Sequence, residues 1–189
     1  MSILHTIPEA DADATTAAMY DDDIADQGFV AAHTKVMALN PGAYAAWEAL
    51  IGEIARPLGM RRYELVTLAA ARGMRSRHCR LAHGRRSLAL FEEDQLVRIA
   101  ADYHDAGLSP AEVAMMAYAE RVGRDSDRMT DADSLTLRQH GFSDREILDI
   151  TLAAAARNYY SRAIQALAVE IDVPEDIGPE LRDALLRGL

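Results

Sequence analysis

The chain has 189 residues, of which half are hydrophobic, and a formal net charge of -10 at neutral pH. This length suits a single domain with its own hydrophobic core. The acidic balance argues against a nucleic-acid partner, because phosphate binding requires a basic surface. No apolar run approaches the length of a membrane span, and residues 1–13 lack a signal-peptide pattern. Because Cys79 is the one cysteine, no intrachain disulfide can form, and we expect a cytoplasmic protein.

The apolar residues are mainly Ala and Leu, which favour helices, so we predict an all-α fold. Residues 1–27 are predicted to be an acidic arm with a weak helix, and residues 28–189 a single all-helical domain. We find no strand pattern, Gly-rich phosphate loop or interdomain linker. A first helix is predicted over residues 28–39, and a second follows Asn40, which caps it, and ends near Pro57.

The central part of the chain predicts two helices joined by a turn. Residues 61–74 form a strongly apolar segment in which Glu64 is conspicuous. Gly73 is expected to loosen the join, and Ser76 is a good N-cap for a helix that runs to about residue 90. This prediction places Cys79 in the first helical turn.

Two later helices are predicted from capping boxes, in which a Ser is followed three residues on by a Glu. They begin after Ser109 and after Ser143, and the second is expected to run to about residue 169. A short last helix is predicted over residues 181–186. Residues 69–77 and 154–162 share the pattern Ala-Ala-Ala-Arg followed by Ser-Arg, which is weak support for a duplicated helix pair.

Cys79 and His83 are four residues apart, so on a helix they share one face, as a thiol and its base require. The start of a helix favours thiolate over thiol. The surrounding arginines form a basic island in an acidic chain, and they are Arg72, Arg75, Arg77, Arg80, Arg85 and Arg86.

Glu64 requires a hydrogen bond or an opposite charge if it is buried on its apolar helix. A fold-back near Gly73 would bring it beside Cys79 and His83, where it could orient His83, relay a proton or pair with an arginine. The alternatives remain open that Cys79 is a packing residue, that His83 is a surface residue and that Glu64 pairs with Arg61 or Arg62. Zinc binding by His78, Cys79 and His83 is disfavoured because adjacent helical residues diverge by about 100°. We expect no metal and no cofactor.

Residues 64–84 resemble the signature of the carboxymuconolactone decarboxylase-like family, which includes alkyl hydroperoxidase D. That signature has a Glu and then Cys-x-x-Cys-x-x-x-His. Glu64, Cys79 and His83 match it in order and spacing, and Ser76 stands in place of the first cysteine. Two C-terminal segments, residues 135–147 and 166–170, look like the C-terminal half of the longer peroxidase-related members. The resemblance implies a multi-helix bundle that assembles into a homo-oligomer.

Three functions follow from these residues. The first is a peroxidase-like, antioxidant oxidoreductase in which Cys79 attacks a peroxide and an external thiol restores it, with His83 and Glu64 relaying protons. Ser76 would hydrogen-bond the thiolate or cap the helix, since one thiol cannot cycle through an intrachain disulfide. The second is lactone decarboxylase-type acid-base chemistry on a small acid held by the arginines. The third is a non-enzymatic oligomer with a structural or redox-sensing Cys79.

Overall fold

A computed structural model describes residues 2–188, and its regular structure is entirely helical, which confirms the all-α prediction. Among these residues there are ten α-helices, three short 3-10 helices and no strand. The α-helices in chain order are α1 (Ala14–Gln27), α2 (Ala32–Met37), α3 (Pro41–Leu58), α4 (Met60–Gly73), α5 (Arg77–Ser87), α6 (Glu93–Asp102), α7 (Pro110–Asp125), α8 (Asp131–Gln139), α9 (Asp144–Ala166) and α10 (Pro179–Leu186).

The chain divides into two compact units. The first runs to Gly52 and includes Arg162–Asp172, and the second contains Glu53–Ser161 and the segment that begins at Val173. In the first unit α1 packs against α2, and Tyr20 is buried with its hydroxyl donating to the Ile7 carbonyl at 2.8 Å. The weak helix predicted before residue 28 is therefore a full helix with a packed face.

Helix starts follow the predicted caps. The Asn40 side chain accepts from Ala43 N at 3.1 Å at the start of α3, and Ser109 and Glu112 form a reciprocal capping box before α7. The helix predicted over residues 28–39 is shorter, because Gly28 adopts a left-handed conformation (φ 85°) that ends α1. The chain is extended at Ala31, and α2 begins only at Ala32.

The second unit is built around α4, which packs against α5 and α7, while α10 packs against α5 and α6. Nine residues of α4 are buried, from Tyr63 to Ala71. The turn predicted near Gly73 is formed, since α4 ends at this residue, and the left-handed residue in the turn is Arg75 (φ 55°). Gly73 instead allows close packing, since an added Cβ would lie 2.2 Å from the Glu120 carbonyl oxygen of α7.

The two similar segments adopt different structures, so the predicted helix-pair duplication is wrong. Residues 69–77 end α4, turn and begin α5, whereas residues 154–162 lie within the continuous helix α9. Asn158 and Tyr160 occupy the places of Gly73 and Arg75, and both are helical in α9. The Ala and Arg residues match because both segments come from Ala-rich helices, and not because the two segments share a structure.

Within the described part of the chain, no helix combines the length and the apolar character that crossing a membrane would require.

Substituting Gly73 tests the close approach of α4 and α7. We expect Gly73→Ala to lower the free energy of unfolding by about 1–3 kcal/mol, because the backbone of α7 must shift to admit the methyl group. Gly52→Ala in α3 is the matched control, since nothing lies within 4 Å of its added Cβ. It should raise the free energy of unfolding by up to about 1 kcal/mol through helix propensity. Urea denaturation of both variants measures this, and equal effects would contradict it.

Candidate active site

The turn between α4 and α5 brings together the residues of the predicted motif within the second unit. Ser76 is the N-cap of α5, and its hydroxyl accepts a hydrogen bond from Cys79 N at 3.4 Å. Cys79 therefore lies in the first turn of α5, as the sequence predicted. Its side chain is buried, with 2% relative exposure.

Glu64 and His83 join α4 to α5 through a buried hydrogen bond of 2.7 Å between Glu64 Oε2 and His83 Nδ1. Burial lowers the pKa of His83 to about 4, although the Glu64 charge opposes this, so the imidazole is neutral at pH 7. Burial alone would raise the pKa of Glu64, but His83 and the charges of Arg86 and Arg157 outweigh it and lower that pKa. The ionised carboxylate can only accept, so Nδ1 carries the proton and Nε2 the lone pair.

Cys79 is held in a polar environment although it is buried. Its Sγ lies 3.1 Å from Ser161 Oγ of α9. Burial raises the pKa of Cys79, but a hydrogen bond from His78, the Arg157 charge and the hydroxyls of Ser161 and Ser76 together lower it to about 6. The thiol is thus mainly a thiolate at neutral pH, and the Ser161 hydroxyl donates to it.

Arg157 supplies the positive charge next to the sulfur. This α9 residue is 4% exposed, and its Nη2 donates to Tyr63 Oη at 3.0 Å. Burial lowers the pKa of Arg157, but the adjacent Cys79 thiolate and Tyr63 outweigh burial and raise it. The guanidinium therefore stays charged, and its field reaches Cys79, Glu64 and His83.

The four predicted site residues are all buried: Glu64 lies on α4, Ser76 and Cys79 lie at the start of α5, and His83 lies one turn further along α5. The expected Glu64–His83 contact is formed. Cys79 and His83 were expected to interact directly or through one water; in the structure the Cys79 sulfur bonds Ser161 Oγ, and His83 Nδ1 bonds Glu64 Oε2.

Arg157, Ser161 and Tyr63 were missed by the sequence reasoning. The repeated pattern held a signal for two of them, because Arg157 and Ser161 stand at the positions that match Arg72 and Ser76. They are polar residues in an Ala-rich helix, as Glu64 is, and only Glu64 was singled out for that reason.

The predicted basic island does not act as one group. Arg80 is buried and donates to the carbonyl oxygens of Ala100 (2.6 Å) and Ala184 (3.3 Å), which ties α5 to α6 and α10. Burial lowers its pKa to about 10. Arg85 pairs with Asp176 on the surface at 2.7 Å. Of the island, Arg86 contributes its charge to Glu64 and His83.

No family model and no curated protein match this chain. Among solved structures, it is similar to an uncharacterized peroxidase-related protein from Silicibacter sp. TM1040, at 25% identity and a TM-score of 0.77 over 90% of this chain and 92% of that one. It is also similar to a peroxidase-related protein with an alkylhydroperoxidase AhpD core from Ralstonia eutropha JMP134 (23% identity, TM-score 0.76, covering 96% and 95% of the two chains). A third similar structure is the debrominase Bmp8 in complex with 2,3,4-tribromopyrrole (14% identity, TM-score 0.75, covering 98% of each chain).

The chain has the all-helical fold of the alkyl hydroperoxidase D-like, peroxidase-related proteins. These neighbours support the carboxymuconolactone decarboxylase-like family that the motif indicated.

The thiolate of Cys79 can be titrated by its ultraviolet absorbance, taken as the difference from Cys79→Ser. We expect a midpoint near a pKa of about 6. Arg157→Met removes the adjacent charge and should raise the midpoint by about 1–3 pH units. Arg61→Met removes an exposed arginine that pairs with Glu112 and serves as the matched control without a shift. A wild-type midpoint near the ordinary cysteine value would contradict the assignment.

The same thiolate makes stability depend on pH. The folded pKa of Cys79 is about 6 against an ordinary value of 9.0, so between these pH values the unfolded chain binds more protons. The free energy of unfolding should therefore rise with pH from 6.5 to 9 by at most about 1.4 kcal/mol per unit, and this stability is lost as the pH falls toward 6. Urea denaturation under reducing conditions measures the slope. Cys79→Ser should flatten it, and an unchanged slope in that variant would refute the claim.

Proposed function

We propose that the protein is a one-cysteine thiol peroxidase in which Cys79 is the nucleophile. The observation that carries this proposal is the buried sulfur of Cys79, 3.1 Å from Ser161 Oγ and beside the Arg157 guanidinium, with a pKa of about 6. A helix start, a hydroxyl and a positive charge together favour a reactive thiolate over an inert packing thiol.

The proposed reaction has two stages. The Cys79 thiolate attacks one peroxide oxygen, the S–O bond forms as the O–O bond breaks, and the leaving oxygen takes a proton. Cys79 is then a sulfenic acid. Two equivalents of an external thiol reduce it, releasing water and a disulfide of that thiol. No cofactor or metal takes part in these steps.

The Glu64–His83 pair fits the proton transfers that this reaction needs. His83 is neutral at pH 7 and its Nε2 can accept a proton, while the ionised Glu64 holds the tautomer through Nδ1 and stabilises the imidazolium that forms. Because Cys79 is already a thiolate at neutral pH, the proton for the leaving oxygen comes from solvent, and His83 Nε2 can take it up and pass it on. Ser76 acts one step further away, as the cap that fixes the start of α5.

The structural neighbours are compatible with thiol chemistry in this fold. Two are peroxidase-related proteins, and the Bmp8 complex was obtained with a variant in which a cysteine is replaced by alanine. The proposal extends the peroxidase relationship to this chain. Homo-oligomer formation, cytoplasmic location and use of an external thiol reductant stay predictions.

The near-complete burial of Cys79 favours a second candidate, a structural or redox-sensing cysteine in a non-enzymatic protein. Such a thiol would react slowly with peroxide and would not turn over with added reductant. Lactone decarboxylation is the remaining hypothesis of the sequence analysis, and it would use His83 and Glu64 without the thiol.

Peroxide consumption in the presence of a thiol reductant tests the proposal. We expect turnover by the wild-type protein and its loss in Cys79→Ser, because the serine hydroxyl is not ionised at neutral pH. His83→Asn and Glu64→Gln should lower the rate by about 10²-fold or more, since they remove general acid-base catalysis.

The controls for this assay separate the competing functions. Retained peroxide turnover in Cys79→Ser would reject a thiol peroxidase. Turnover of a lactone acid that survives Cys79→Ala but not His83→Ala would identify the acid-base enzyme. If the protein debrominates 2,3,4-tribromopyrrole and does not reduce peroxide, its substrates are halogenated compounds and the peroxidase proposal is rejected.

A further inference from the structure

Two α9 residues next to Cys79 have a geometry that goes beyond holding a thiolate. Arg157 and Ser161 are four residues apart on one helix, so their side chains project from the same face toward the sulfur. Ser161 Oγ is 3.1 Å from Cys79 Sγ, and the Arg157 guanidinium, which donates to Tyr63 Oη at 3.0 Å, places its charge next to Cys79. Two different donor types thus converge on the atom that would react.

Ser161 is not needed to hold the backbone near Cys79. That task belongs to Ser76, which accepts from Cys79 N and begins α5. Ser161 lies inside the continuous helix α9, is fully buried, and directs its hydroxyl to the sulfur. The two hydroxyls around Cys79 therefore have separate tasks, one in the fold and one at the reacting atom.

Arg157 is likewise costly as a purely structural residue. Its guanidinium is buried in an Ala-rich helix segment, donates to the Tyr63 hydroxyl and lies next to the Cys79 thiolate. Replacing a whole buried ion pair with apolar side chains is often neutral or favourable for stability, so stability alone does not explain a charged group at this position. A guanidinium presents several N–H groups in one plane and can contact the sulfur and a second anionic atom together.

Glu64 gives an independent sign that the site takes a hydrogen-bonding ligand. Its Oε2 bonds His83, whereas its Oε1 is buried without a hydrogen-bond partner in the structure. A buried carboxylate oxygen calls for a donor. A peroxide brings O–H groups for such an acceptor and oxygen atoms for the donors of Arg157 and Ser161.

We propose that Arg157 and Ser161 bind the peroxide itself, and that the preferred substrate is hydrogen peroxide, not a bulky organic hydroperoxide. The proposal rests on the thiol peroxidase function proposed above. Ser161 orients the attacked oxygen toward Cys79, and Arg157 stabilises the negative charge on the leaving oxygen as the O–O bond breaks. The leaving hydroxide is protonated to water by a proton from solvent, which Nε2 of the neutral His83 can take up and pass on.

The size of the substrate follows from burial. Cys79, Ser161, Arg157, Glu64 and His83 are each at most 4% exposed. A bulky alkyl group would have to displace packed side chains, which costs free energy in a close-packed interior. Hydrogen peroxide adds no alkyl group and offers two O–H donors, one more than an organic hydroperoxide.

The test separates binding of peroxide from stabilisation of the thiolate. Sulfenic acid formation by hydrogen peroxide is followed by dimedone trapping across pH, and the plateau rate above the thiol pKa of each variant is compared. We expect Ser161→Ala and Arg157→Lys to lower the plateau by about 10²-fold, the usual cost of losing one donor to a developing oxyanion. If these residues only favoured the thiolate, the plateau would be unchanged or higher, because a more basic thiolate is more nucleophilic.

Ser87→Ala is the matched control, since Ser87 is also a fully buried serine but lies at the other end of α5. It should leave the plateau unchanged. If circular dichroism shows that Arg157→Lys does not fold, the plateau rate of Ser161→Ala alone decides the proposal, because this substitution removes a single oxygen atom. No sulfenic acid in the wild-type protein would reject the peroxidase function. If the wild-type protein forms sulfenic acid and both variants reach its plateau rate, peroxide binding by Arg157 and Ser161 is rejected, but the peroxidase function is not.

The wild-type protein also tests the substrate class. Cumene hydroperoxide should oxidise Cys79 more slowly than hydrogen peroxide under the same conditions. Equal rates, or a faster rate with cumene hydroperoxide, would overturn the preference for the small peroxide.

Discussion

The site depends on one buried positive charge, that of Arg157, which lies among groups that become anionic. Its guanidinium donates to Tyr63 and neighbours Cys79, and its field reaches Glu64 as well. The positive charges of Arg157 and Arg86 thus stabilise two negative charges, those of the Cys79 thiolate and the Glu64 carboxylate. Without this balance a sulfur as buried as that of Cys79 would be a neutral thiol, because burial alone raises its pKa. A hydrogen bond from His78 and the charge of one α9 residue, Arg157, therefore both favour the thiolate form of Cys79.

Close helix packing makes this arrangement possible. The buried face of α4 carries three consecutive alanines, and Gly73 and Gly123 let α4 and α7 approach so closely that a Cβ at either glycine would contact backbone of the other helix. The same helix also presents Tyr63 and Glu64 to the site. Desolvation of these polar groups costs stability, and hydrogen bonds within the cluster offset part of the cost. The small residues and the polar cluster are thus two consequences of one tightly packed helix.

The sequence predicted the helices that begin with a recognisable cap. It also predicted the site residues that lie close together along the chain. Ser76, Cys79 and His83 lie in one helical segment, and Glu64 was conspicuous as a carboxylate on an apolar helix. Arg157 and Ser161 could not be placed, because their approach to Cys79 depends on tertiary packing and not on spacing. Helix α8 was missed although Thr130 and Asp133 form a capping box, since an Asp stands where a Glu was sought. Helix α6 was missed because Glu92 provides no side-chain cap.

The single cysteine also shapes the kinetics that the proposed function would have. With Ser76 in place of a second thiol, oxidised Cys79 cannot form an intrachain disulfide, so reduction requires a thiol from outside. That thiol must reach a sulfur that is 2% exposed to form a mixed disulfide, and a second thiol must then reach the same bond to release Cys79. The burial and charge that favour attack on a small peroxide therefore hinder the approach of a larger reductant. In such a protein the reductive half of the cycle, and not the attack on peroxide, would limit turnover.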